Sequence, residues 1–402
     1  MITRQLQIDV DSASWGRKPM PAWASRAAPT QTVDVARAML LLGSLTTPSS
    51  LSAGSPERYW ACVRYFSACT ASRDLRISTP FMDLDPHQKG ILSDDFGVAI
   101  SVSWLVDQLG GIQDIVDGRH FMINMGVRRS ASARRLPKVG PRKCPDFVLE
   151  DLHGKFHVLE CKGTQSGRNY LNRAMATGQV QKRGISVAKA MRGESLVIGL
   201  SLAGEGEDRE SQLVVIDPED EPLTVVEESD RQEAAKVLTR LNVARALNLS
   251  GFHRMAFEIA WPERLQKSSA EAELLTPGER KRLSILPRDR LSSWQTEFQS
   301  EFVKAPQRRV ENYFIQEMSF DLNSVKLDSG DEARRVTVRR GLNAELVEKL
   351  AQTGKDLRSA ASDVVEEAAD RRERIDITTQ RNGHSARLNY RDLFFTEISF
   401  ED

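Results

Sequence analysis

A three-residue loop, Leu152-His153-Gly154, lies between two short runs at 146–150 and 156–161, and it constrains the chain more tightly than any other feature. Gly154 falls where a three-residue hairpin loop needs positive φ, so the two runs are predicted to pair antiparallel. That register sets Phe147 opposite Leu159 and Asp146 opposite Glu160. Side chains alternate across a strand, so Lys162 points the same way as Glu160. Phe147, Leu149, Leu159 and Cys161 then form an apolar set on the other face, suited to packing on a helix. Two acids and a lysine are thereby gathered on one polar face.

The flanking pattern extends this hairpin into a larger unit. Ser93 is a helix-capping residue type, and Asp94 and Asp95 would follow it in a first turn that favours negative charge. The helix is expected to run to 109, where Gly110 and Gly111 stop it. A strand is expected at 121–125, a basic loop at 128–143, a helix at 169–191 interrupted near Gly178, and strands at 196–202 and 213–216. The resulting order is α-β-β-β-α-β.

At 402 residues the chain exceeds what one core usually supports, about 250–300 residues, so more than one domain is expected. Residues 1–90 read as an N-terminal helical region, with helices at 33–45 and 57–69 separated by a Thr/Pro/Ser/Gly-rich break at 46–56. Residues 91–233 form the α/β core and 234–402 a C-terminal α+β domain. That last part holds helices at 232–247 and 344–374, a Pro- and charge-rich stretch at 261–290, and a hairpin on Asn382-Gly383 between 375–380 and 386–390.

The segment Cys144-Pro145-Asp146-Phe147, followed by Leu159-Glu160-Cys161-Lys162-Gly163, resembles the signature of the PD-(D/E)XK nuclease superfamily, whose fold is the restriction-endonuclease-like one. The resemblance covers about a quarter of the chain. It implies a core with a mixed central sheet flanked by helices and a catalytic set of Asp146, Glu160 and Lys162. It also implies Mg2+ or Mn2+ held by Asp146, Glu160 and the backbone carbonyl of Cys161, with a further acid from the first helix, Asp95 ahead of Asp94. Phosphodiester hydrolysis needs a hard cation and an activated water, and carboxylates with a lysine are the residue types for that task. The competing reading makes Asp146 and Glu160 half-exposed strand residues with Lys162 as a surface ion-pair partner.

The formal net charge is zero, but it divides into opposite blocks. Between Arg119 and Arg192 sixteen Lys and Arg face four acids, an excess of twelve positive charges. Between Glu205 and Glu233 twelve acids face two arginines, an excess of ten negative charges. The basic block suits a polyanion, with Arg128, Arg129, Arg134, Arg135, Lys138, Arg142, Lys143, Gln181, Lys182 and Arg183 as candidate DNA-contacting residues. Few aromatics interleave with them, so duplex backbone contact is favoured over base stacking. The acidic block reads as a solvated loop, or as a screen over the basic groove.

Other chemistries find no footing. No G-x-x-x-x-G-K-[ST] phosphate loop occurs, and Gly199-Leu200-Ser201-Leu202-Ala203 lacks the second glycine and the following helix of a nucleophile elbow. Cys62, Cys69, Cys144 and Cys161 form no CxxC pair, and the six histidines no paired metal motif. No uninterrupted apolar run approaches the ~18 residues of a membrane span, so a cytoplasmic protein without membrane contact is expected. The sequence thus points to a divalent-metal-dependent endonuclease acting on DNA, in bacterial defence against foreign DNA or in DNA processing, alone, as a homodimer or beside a partner subunit. The alternative is a nucleic-acid- or partner-binding subunit of a defence or repair complex with latent nuclease activity.

Overall fold

The computed structural model describes residues 2–46, 63–125, 144–182, 184–217, 225–250, 252–261, 308–352, 357–371, 375–379 and 384–401. The chain opens with β1 (Thr3–Val10) and β2 (Thr30–Asp34). Residues 1–90 are therefore not purely helical, and β1 shows the alternating burial of a sheet strand with one face inward. Helix α1 (Val35–Leu45) follows as expected, capped by Asp34, which accepts from the Arg37 N–H at 3.2 Å. The break at 46–56 and most of the helix expected at 57–69 lie outside the described residues.

Helix α2 (Pro86–Gln108) starts seven residues earlier than Ser93. Asp85 is its cap, accepting from the N–H groups of His87 and Gln88, and Pro86 occupies the first helical position, where its missing N–H is harmless. Ser93 instead sits inside the helix, its hydroxyl donating to the Lys89 carbonyl at 2.7 Å. Asp94 and Asp95 are consequently mid-helix. Gly110 and Gly111, both at positive φ, end the helix as predicted.

The first core strand is β3 (Ile112–Asp117), and the stretch expected as a strand at 121–125 belongs to helix α3 (Gly118–Met125). Hydrophobic periodicity missed β3 because its third residue, Asp114, is a buried charge. The hairpin then appears as β4 (Phe147–Asp151) and β5 (Phe156–Thr164), with Phe147 paired to Leu159 and Glu150 to Phe156, the expected register. Helix α4 (Arg168–Lys182) runs unbroken through Gly178 and ends at Lys182, short of the expected 191. Strands β6 (Arg192–Ser201) and β7 (Gln212–Ile216) follow. Beyond them lie α5 (Arg231–Leu249), α6 (His253–Ala260), β8 (Arg308–Val310), β9 (Tyr313–Lys326), β10 (Glu332–Asn343), α7 (Ala344–Gln352), α8 (Leu357–Asp370), β11 (Ile375–Thr379), β12 (Ser385–Tyr390) and β13 (Phe394–Glu401). The register of β11 with β12 is the one a two-residue Asn382-Gly383 turn requires; the turn lies outside the described residues, as does most of 261–290.

The protein is α/β with a mixed sheet of thirteen strands in the order β8-β9-β10-β13-β12-β11-β3-β4-β5-β6-β7-β1-β2. Strands β3, β4 and β5 are antiparallel neighbours, while β6 runs parallel to β5 after the α4 crossover. The three stretches expected as separate domains share this sheet: β1 pairs with β7 from the N-terminal side, and β11 meets β3 at Ile375 and Ile112 from the C-terminal side. The main apolar core includes α1, α2, α5 and one sheet face. A small second cluster of Leu171, Met175, Val197 and Val214 seats α4 on the opposite face. Among the described residues no helix is long and apolar enough to cross a membrane.

Candidate active site

The hairpin register brings the expected pair together. The backbone N–H of Asp146 donates to Glu160 Oε2 at 3.1 Å, and the N–H of Cys161 donates to Asp146 Oδ2 at 2.8 Å. Each carboxylate is thus fixed by the backbone beside its partner. Lys162 completes the group, its ammonium bonded to Glu160 Oε1. Glu160 is fully buried, unlike a surface-strand residue, while the Lys162 side chain keeps 19% exposure. Cys161 points its thiol into the apolar face, where burial holds it protonated with a pKa well above the usual thiol range.

Burial dominates the electrostatics of this group. It pushes Glu160 up to about 8, with the neighbouring Asp146 charge adding to the rise and Lys162 opposing it. Asp146 is raised by the same desolvation, and the Cys161 N–H and Lys162 hold the rise back. Burial alone would lower Lys162, but the Glu160 carboxylate outweighs it and raises the ammonium. Two adjacent acids are crowded in a low-dielectric place with one compensating cation.

Helix α2 contributes the third acid. Its backbone lies flush on the end of β5, because both contacting positions are glycines: a Cβ on Gly97 would stand 2.7 Å from the Lys162 carbonyl oxygen, and one on Gly163 1.7 Å from the Ser93 oxygen. This approach places the Asp94 carboxylate beside the Gly163 N–H and its charge within reach of Lys162 and Asp146. Asp95, the residue preferred from sequence, instead accepts from the Tyr65 hydroxyl at 2.7 Å. The geometry therefore favours Asp94 as the first-helix acid. Gly178 does for α4 what Gly97 does for α2, since a Cβ there would meet Val197 Cγ1 at 3.0 Å and Glu160 Cγ at 3.1 Å.

Of the expected DNA-contacting residues, Arg128, Arg129, Arg134, Arg135, Lys138, Arg142, Lys143 and Arg183 lie outside the described residues, and Gln181 is half-buried. Lys182 is a correction: it is buried and pairs with the buried Asp217 at 3.3 Å, so it is a structural cation. In the acidic block, Glu205 accepts from the N–H and hydroxyl of Thr79, and Glu207 pairs with Arg209 at 2.6 Å. These acids are engaged with Thr79 and Arg209.

The sequence missed Asp117, at the end of β3, and His120, on α3. Both line a cleft of about 360 Å³ that Asp146 borders, and the Asp117 charge contributes to the raised pKa of Asp146. Asp117 accepts from the His120 N–H at 2.8 Å. Only the strand assignment of β3 could have exposed this pair, by carrying Asp117 to the sheet end where Asp146 lies. Among the described residues no group of three or more His, Cys, Asp and Glu side chains is arranged to hold a metal ion. Compared with known proteins, the chain matches no family model, no curated protein and no solved structure.

Proposed function

We propose that this chain is a divalent-metal-dependent endonuclease hydrolysing DNA, built on a restriction-endonuclease-like core that runs from α2 to β7. One observation carries the reading: Asp146, just before β4, and Glu160, on the adjacent antiparallel β5, stand side by side, both desolvated and both raised in pKa, with Lys162 against them. A structural ion pair would need one acid for one lysine. A second, partly buried acid beside it is destabilising for folding and useful only if positive charge arrives. The strand order supports the same reading, since three antiparallel strands followed by a helix and a parallel fourth match the α-β-β-β-α-β order.

The donor set fits Mg2+ or Mn2+. Mg2+ keeps several waters and is commonly bound through one or two carboxylates plus substrate phosphate, so Asp146 and Glu160 with the Cys161 carbonyl suffice, and no third protein carboxylate is required. Such a cation would supply charge neutralisation at the phosphate and a lowered pKa for the attacking water. Asp146 and Glu160 would hold it. Lys162, freed from Glu160, would orient that water and offset charge on the non-bridging phosphate oxygens. Asp94, beside the Gly163 N–H, would accept a hydrogen bond from a water of this shell.

The alternative, a binding subunit with latent activity, draws on the Lys162–Glu160 contact, which occupies a carboxylate oxygen that the cation needs. A partner or substrate would then be required to open the site. The setting in bacterial defence or DNA processing rests on family analogy alone. The deciding experiment incubates the full chain with plasmid and linear DNA, with and without Mg2+ or Mn2+. Metal-dependent strand breakage that Asp146→Ala removes is the expected result, and breakage that persists in that variant overturns the assignment.

A further inference from the structure

A second cleft, of about 400 Å³, opens on the other side of the site, between the first half of α2 and the chain that leaves β5. Lys89, Gly90, Ser93, Gly163, Gln165 and Arg209 are among the residues that line it, together with Glu207, whose carboxylate Arg209 pairs. Its wall is continuous with the site, because Ser93 precedes Asp94 and Gly163 follows Lys162. We infer that this cleft seats a backbone phosphate of the bound DNA strand neighbouring the scissile one, with Lys89 as its charge partner. The inference rests on the nuclease reading and extends it to the path of the substrate.

Three observations carry it. First, the Lys89 ammonium has no hydrogen-bond or ion-pair partner among the described residues, whereas the other cations around the site are engaged: Lys162 with Glu160 and Arg209 with Glu207. Arg209 also donates to the Gln165 carbonyl at 2.7 Å, which ties down the loop forming the far wall. Second, Gly90 is unexplained by packing. It lies inside α2, where glycine is unfavourable, and a Cβ there would meet nothing within 4 Å. The bare backbone widens the cleft and lets a ligand approach the helix closely. Third, the neighbouring helix α4 carries no acid of its own: its fifteen residues include Arg173 and neither Asp nor Glu. A polyanion leaving the cleft along that helix meets no like charge from the helix itself.

The Gln165 amide donates to Ser93 Oγ at 3.2 Å, which fixes the wall of the cleft beside the lysine.

The test measures binding of a short DNA duplex to the full chain in Ca2+ across a salt series, with single-turnover cleavage in Mg2+ alongside. The variants are Lys89→Met, which removes the charge, and Gly90→Glu, which places an acid in open space at an exposed helical position. Lys89→Met is expected to weaken binding about five- to tenfold and to reduce the salt slope by about one unit. Gly90→Glu is expected to weaken it further, while both cleave at the wild-type rate once saturated. Wild-type affinity and slope in both variants would overturn the inference while leaving the nuclease reading intact. Weakened binding in both, with no cleavage by any form of the protein, would sink the nuclease reading and keep the phosphate site. A wild-type chain that binds no DNA at all would remove both.

Discussion

Glu160 combines full burial, a neighbouring acid and a lysine, and its behaviour is set by the balance among them. Its folded pKa of about 8 lies well above the ordinary carboxyl range near 4.5. Below about pH 4.5 both folded and unfolded chains hold the proton and the shift has no effect on stability. Between about 4.5 and 8 the folded state holds a proton that the unfolded state has released, so stability contributed here falls as pH rises. Glu160→Gln should therefore raise the melting temperature of the chelator-treated protein at pH 8 and leave it nearly unchanged at pH 5; equal effects at the two pH values would refute the shift. For Lys162 the expected signature is kinetic. Lys162→Met keeps the stem and removes the ammonium, and should slow single-turnover cleavage by about two to three orders of magnitude with DNA affinity in Ca2+ unchanged. A variant that binds weakly but cleaves normally at saturation would assign Lys162 to binding.

At the scale of elements, the site exists because two helices approach the sheet more closely than side chains ordinarily allow. The α2 contact depends on Gly97 and Gly163, and the α4 contact on Gly178. Gly163→Ala drives a methyl into the Ser93 carbonyl and should cost at least about 1–3 kcal/mol, read as a lowered urea midpoint, because helix and strand must separate. Gly90→Ala, about one turn from Ser93 in α2, should move the other way by about 0.5–1 kcal/mol, since its Cβ enters empty space and the helix gains from losing a glycine. If both substitutions destabilise alike, the close approach of α2 to β5 is not what the glycines provide.

Across the whole molecule, the C-terminal strands are tied to the core through one buried acid. Asp114 on β3 accepts from Thr239 Oγ1 at 2.9 Å and Asn242 Nδ2 at 2.8 Å on α5, and from the Tyr390 hydroxyl at 3.0 Å, and it pairs with the Arg391 guanidinium. The sheet join beside it is a single pair, Ile375 with Ile112, so this network supplies much of the specificity of the junction. Arg391 and Asp392 form the β12–β13 turn, both at φ 52°, a conformation that side chains other than glycine adopt reluctantly. Asp114→Ala leaves Arg391 buried without its carboxylate and should cost about 3–5 kcal/mol. Hydrogen exchange should then show β11, β12 and β13 losing protection before β5 and β6. Uniform loss over the sheet would mean that the junction and core unfold as one unit.

What was legible in the sequence was what neighbours within a few residues decide. The Gly154 loop set the pairing of β4 with β5 and hence the meeting of Asp146 and Glu160, the paired Gly110-Gly111 ended α2, and the register of β11 with β12 is the one expected from the sequence between them. Each is governed by local backbone geometry, so each survives folding unchanged. Only the tertiary structure decided that Asp94 and not Asp95 turns to the site, because that choice depends on where Tyr65 packs. It also decided that Lys182 is buried against Asp217. And it decided that three stretches of different composition share one sheet, through β1 beside β7 and β11 beside β3. These outcomes come from contacts between residues tens to hundreds of positions apart, whose energies are not written in any single window of the chain.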